Sequence, residues 1–140
     1  MKRTIVAGAV IVILLVAGIS SATNTEKEKA AVIVAEKWLS MVDQGNYAES
    51  WKEAAALFRN AVKQQHWEQS LQAVRKPLGK LVSRKVNKKT YKTSLPGAPD
   101  GEYVVIEFET SFENKRTAFE TLTPMREKDG KWRVSGYYIK

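Results

Sequence analysis

The order of elements legible in the sequence is helix, helix, helix, then four strands. It predicts an α+β fold, with three N-terminal helices packed on a curved four-stranded antiparallel meander sheet. Three observations carry this. Apolar residues before Pro77 recur at helical spacing, those after Leu81 tend to alternate, and the later breaks hold turn chemistry and no further helix. At 140 residues the chain has room for about one domain.

A segment precedes the first helix. Lys2 and Arg3 are followed by an apolar run over residues 4–19, then by Ser20-Ser21-Ala22. A basic start, an apolar stretch and small residues at the end form the pattern of a secretory signal peptide, with cleavage expected after Ala22. The alternative is a retained anchor helix, with membrane contact only through residues 4–19. In both cases the basic start holds the N-terminus inside, and the folded part is exported. It then sits in the periplasm, is secreted, or is anchored at the inner membrane. The expected organisation is residues 1–22 as signal peptide or anchor and residues 25–140 as one cone-like domain.

The first helix is expected from Thr25, whose Thr-x-x-Glu spacing to Glu28 is a capping box. Ala31, Val34, Ala35, Trp38 and Val42 form its apolar stripe, and Gly45 ends it. Asn46 opens a second helix carrying Trp51, Ala54, Ala55, Phe58 and Val62. A third carries Trp67, Leu71 and Val74 and stops at Pro77 and Gly79. The first strand is expected within Leu81–Ser94. A loop follows, since residues 95–101 hold two prolines and two glycines. In the strand from Glu102 to Glu113, Val104, Ile106, Phe108 and Phe112 share one face and Tyr103, Val105, Glu107 and Glu109 the other. The strand Arg116–Lys128 turns at Asp129-Gly130 into the last strand, Lys131–Ile139.

Composition excludes whole classes of chemistry. With no cysteine there is no disulfide, thiolate metal site or thiol nucleophile, and one histidine cannot build a multi-histidine site. His66 has no acidic residue three or four positions away and reads as a surface residue beside Trp67. No nucleophile elbow and no phosphate-binding glycine loop occurs. No cofactor and no metal are expected.

The net charge of +8 is uneven. Two of its cations lie in the export segment. Eight cations and no acid fall within residues 75–92, while the rest of the mature chain carries 13 cations and 15 acids. An exported domain does not meet genomic nucleic acid. The basic stretch is therefore read mainly as edge protection and as partner to the acidic second strand. A ridge for an anionic surface, formed by Arg75, Arg84 and Lys85, is the alternative.

Several stretches together resemble a bacterial exported family known as domain of unknown function 4019. They are Trp38-Leu39, Asp43-Gln44-Gly45-Asn46-Tyr47, Ser50-Trp51, Ala54-Ala55 with Phe58, Arg75-Lys76-Pro77-Leu78-Gly79, the loop Leu95 to Tyr103, and Asp129 to Ile139. A broader likeness is to the cone-shaped fold of nuclear transport factor two and ketosteroid isomerase. That likeness implies helices against the concave face of the sheet; it also implies a pocket where Asp, Glu or Tyr can act, and by itself it assigns no function.

The expected function is a non-catalytic binding or accessory domain of the cell envelope. Its partner would be an envelope protein, an anionic surface or a small ligand, and a homodimer is compatible with the fold. Tyr103, Glu120 and Tyr137 are the candidate polar groups of a pocket, beside the basic residues Arg75, Arg84 and Lys85. No catalytic residue is assigned. The alternatives are a cone-fold enzyme using Glu120 or a tyrosine on a hydrophobic small molecule, and a membrane-tethered assembly scaffold.

Overall fold

The computed structural model describes residues 20–140, with side chains from residue 24 onward. The expected export segment, its apolar run and the cleavage point after Ala22 lie outside these residues, apart from the three that open the first helix. Helix α1 spans Ser20–Asp43. Thr25, expected to cap it, lies inside it, because neither glycine nor proline interrupts the preceding residues and the helix propagates through them. Its C-terminus is a Schellman turn: Gly45 N–H bonds Val42 O at 3.1 Å and Asn46 N–H bonds Met41 O at 2.9 Å. Gly45 has φ 79°, which a side chain would strain. Among the described residues, no helix is long and apolar enough to cross a membrane.

The expected second helix is two short ones, α2 (Tyr47–Lys52) and α3 (Ala56–Ala61), so α4 (Gln64–Val74) is the fourth helix. Tertiary bonds override the continuous helical spacing at the break. Ala55 leaves the helix to give its N–H to Val134 O at 2.8 Å, and the Glu127 carboxylate accepts from Ala56 N–H at 3.0 Å. Asn46 stands at the cap position of α2, but its side chain makes no cap bond. A 3₁₀ turn, Lys76–Leu78, follows α4.

The strands are β1 (Leu81–Lys92), β2 (Tyr103–Phe112), β3 (Lys115–Arg126) and β4 (Trp132–Ile139), antiparallel in the order β1-β2-β3-β4. The helices cover one face. Val104, Ile106, Phe108, Leu122 and Val134 are buried there against Ala31, Ala35, Trp38, Leu39, Phe58, Trp67 and Leu71. Trp51 and Trp132 pack at its margin. The tryptophan N–H groups are satisfied where they are buried. Trp38 donates to Ser50 O at 2.7 Å, Trp67 to Ser50 Oγ at 3.0 Å and Trp51 to Val62 O at 2.7 Å.

Two irregularities decide which side chains turn inward. In β1 the register shifts between Leu81 and Ser83 and again between Val86 and Lys88, which leaves Arg84 opposite the buried Thr110. In β4, Pro124 pairs with Val134 but Leu122 with Tyr137, so β4 carries one extra residue. That bulge, at Ser135-Gly136 and pinned by Ser135 Oγ–H to Thr123 O at 2.6 Å, reverses the alternation. Tyr137 thus faces the helices, and Tyr138 is 53% exposed outside.

Candidate functional site

Four elements deliver charge into the helix-covered face. Asp43 comes from the last turn of α1, Arg75 from the end of α4, Arg84 from β1 and Glu120 from β3. Glu120 is fully buried, opposite Phe108 on β2, where alternation along β3 places Ala118 and Leu122 as well. A carboxylate in that position is costly unless every lone pair is used. Its Oε1 accepts from Arg84 Nε at 2.8 Å and from Thr110 Oγ at 2.6 Å, and its Oε2 accepts from the Tyr137 hydroxyl.

Arg84 closes the other half. Its two terminal nitrogens fork onto Asp43, at 2.7 Å to Oδ2 and 2.9 Å to Oδ1, while its Nε serves Glu120. Such bidentate geometry is what the planar guanidinium is suited to. Arg75 adds a second bond to Asp43 Oδ1 at 3.2 Å, gives 2.6 Å to Gly79 O, and stacks 4.3 Å from the Phe112 ring centroid. Two cations thus meet two anions. Burial works against the charged guanidinium of Arg84, but the hydrogen bonds to Asp43 and the charge of Glu120 outweigh it and hold Arg84 protonated above its usual range. Burial, then the charge of Glu120 and the bond to it, push the Tyr137 phenol well above its usual value. Tyr137 is a hydrogen-bond donor here, and its own ring meets Trp38 edge-on at 5.3 Å and Trp67 at 6.3 Å.

The structure brings together four of the six candidate residues, namely Arg75, Arg84, Glu120 and Tyr137. Asp43, from the last turn of α1, completes the group and was not among the candidates. The surface ridge of Arg75, Arg84 and Lys85 is corrected on this point. Arg75 is 3% exposed and the Arg84 side chain 10%, because Arg75 turns to the part-buried Asp43 and Arg84 to Asp43 and the buried Glu120. Lys85 alone stays outside, 3.2 Å from its register partner Glu109. Tyr103 is also corrected. It lies on the opposite face, buried beneath the loop before β2, with its hydroxyl donating to Pro99 O at 2.6 Å. His66 is exposed, and among the described residues no three His, Asp or Glu side chains are placed to hold a metal ion.

Two openings border the buried group. A wide cleft of about 800 Å³ lies between the end of α1, α2, α4 and the start of β1, and Asp43 and Arg75 form part of its wall. An apolar groove of about 270 Å³ runs between α4 and β4, with Trp67, Leu71, Val74, Tyr137 and Ile139 along it. A separate cluster pins the N-terminal half of α1 to the sheet. Lys27 pairs with Glu102, which also accepts from Tyr91 at 3.0 Å. The bond to Lys27 holds Glu102 below the usual carboxylate range.

Comparison with known proteins completes the description. A family model described as "Protein of unknown function (DUF4019)" matches residues 34–137. No curated protein matches. Among solved structures, a proposed ketosteroid isomerase from Shewanella frigidimarina is similar at 18% identity, covering 79% of this chain and 94% of that one, with a TM-score of 0.48.

Proposed function

The chain belongs to the DUF4019 family, and we propose that it is a non-catalytic binding domain of the cell envelope whose ligand seats in the wide cleft beside Asp43 and Arg75. One observation carries this reading. The acid best placed for chemistry, Glu120, is fully buried, and hydrogen bonds from Arg84, Thr110 and Tyr137 occupy it. A group so enclosed, with both oxygens already hydrogen-bonded, cannot reach the proton of a bound substrate without losing those bonds. Its chemistry is spent on holding four elements together. Of the two openings beside this buried group, the wider is the cleft, of a size that suits a small ligand. The envelope location is supported by the pattern of residues 1–22 alone.

Native mass spectrometry of the full chain purified from its own host tests this. The expected result is a small co-purifying species that disappears when Lys76 and Lys80, both on the cleft wall, are changed to glutamate. A bound species unaffected by that change, or none at all, overturns the reading. Intact mass in the same spectra reports the N-terminus, and loss of residues 1–22 is the expected outcome.

A second reading has one observation in its favour. Tyr137 lines the apolar groove and touches Glu120, so an apolar molecule seated there would lie beside a tyrosine–carboxylate pair. Enzymatic turnover of such a molecule, abolished by Tyr137→Phe, would favour that reading over the first.

A further inference from the structure

We infer that the cleft recognises a short peptide, about three to four residues long, through its free amino and carboxylate ends. This rests on the reading of the cleft as the binding surface. The charges along its wall are unequally matched, and Glu113, which has no ion pair among the described residues, offsets one of the two lysines at their end of the cleft. Asp43 is consumed by Arg84 and Arg75, Glu49 pairs with Lys52 at 3.4 Å, and Glu113 accepts from the Lys80 backbone N–H at 3.1 Å. Among the described residues, the lining acid left without a partner is Glu68 on α4. The lining cations left without an ion pair are Lys76 and Lys80, past the end of that helix.

Glu68 and Lys76 are eight positions apart, about 12 Å at the helical rise of 1.5 Å per residue. A single amino acid holds its charges much closer than that. An extended peptide advances about 3.3–3.6 Å per residue, so three to four residues set an ammonium at Glu68 and a carboxylate at Lys76 and Lys80. The lining between these poles suits a peptide backbone. Gln72 stands midway on the same stripe of α4, and Asn46 lines the cleft from α2. Amide side chains both donate to and accept from peptide groups. A simple anion would leave Glu68 facing it, and a simple cation would leave the two lysines.

The test is titration of the ¹⁵N-labelled full chain with tetra-alanine in four forms: free, N-acetylated, C-amidated and doubly blocked. The free peptide is expected to shift the amides of Asn46, Gln72 and Lys76, with each single block weakening binding at least tenfold. In Glu68→Gln the acetyl block should cost nothing further, while the amide block keeps its effect. In the Lys76→Gln/Lys80→Gln double variant the pattern should reverse. These side chains are at the surface, and circular dichroism of each variant confirms the fold. Equal binding of blocked and free peptide, or no shift in the cleft, overturns the inference. If native mass spectrometry nonetheless shows a species lost with Lys76 and Lys80, the binding function stands and only the peptide assignment falls.

Discussion

Arg84 and Lys85 are neighbours on β1, both basic and each paired with an acid, yet they sit on opposite faces of one sheet. Arg84 points under the helices, gives three nitrogens to two carboxylates and is nearly sealed from water. Lys85 points outward, with 73% of its side chain exposed and one contact to Glu109. Water screens the outer pair, and holding two long side chains together offsets most of its attraction. The inner group was stripped of water during folding, so removing one member leaves a buried charge unmatched. The pair of positions teaches that a basic residue's contribution follows from its face, which along a bulged strand is not simple alternation.

The largest break in this comparison comes from Arg84→Ala. It leaves Glu120 without a cation and Asp43 with Arg75 alone, and should cost about 3–5 kcal/mol in urea unfolding. A loss under 1 kcal/mol would mean the inner group is as weak as the outer one. Next is Tyr137→Phe, expected to cost about 1.5–3 kcal/mol, the range for a hydrogen bond to a charged group. Its pH signature sharpens the point. The folded phenol titrates above the unfolded value of about 10, so its contribution is whole below pH 10 and drains away as pH rises further. Wild type should therefore lose about 1.4 kcal/mol per pH unit more than Tyr137→Phe above pH 10. Parallel alkaline limbs would contradict this.

Lys85→Ala should change stability by less than about 1 kcal/mol, within the range for exposed pairs. The smallest effect is expected at Asp129, in the turn before β4. Its bonds to Arg133 and the Lys131 N–H pull its pKa down to about 2. What it contributes is present above its ordinary value of 3.8 and fades as pH falls toward 2. Acid titration of Asp129→Asn by circular dichroism should show a slightly flatter limb there. Identical limbs would show that this pair, too, is worth nothing.

The sequence announced the strands to within a residue or two, because Pro96, Gly97, Gly101, Asp129 and Gly130 punctuate them and Val104, Ile106 and Phe108 alternate between them. The helical half was legible except at the start of α1, where Thr25 lies inside the helix it was expected to cap, and at Ala55, whose bond to Val134 spans 79 positions and leaves no local mark. For the buried group, Glu120 and Tyr137 were singled out from strand position as polar groups of a pocket, and the structure joins them in one hydrogen-bonded group. Their partners were not readable. Arg84 was singled out as part of a surface ridge, because the register shift that turns it inward depends on β2. Asp43, two residues before the glycine that ends the first helix, carried no local sign of its distant partners. Gly136 was the one available hint of the β4 bulge, since glycine inside a strand often marks such an insertion.

The buried group also depends on the last strand. Its links span 41 positions from Asp43 to Arg84, 36 from Arg84 to Glu120 and 17 from Glu120 to Tyr137. The hairpins β1–β2 and β2–β3 can begin to form from neighbouring sequence, but Glu120 has no tyrosine until residue 137 has joined the sheet. Contacts of such separation are slow to close. A chain cut short of β4 would hold a carboxylate facing apolar side chains with half its acceptors empty. The native arrangement thus acts as a check on completeness: only a chain carried through its last strand can seal its own interior.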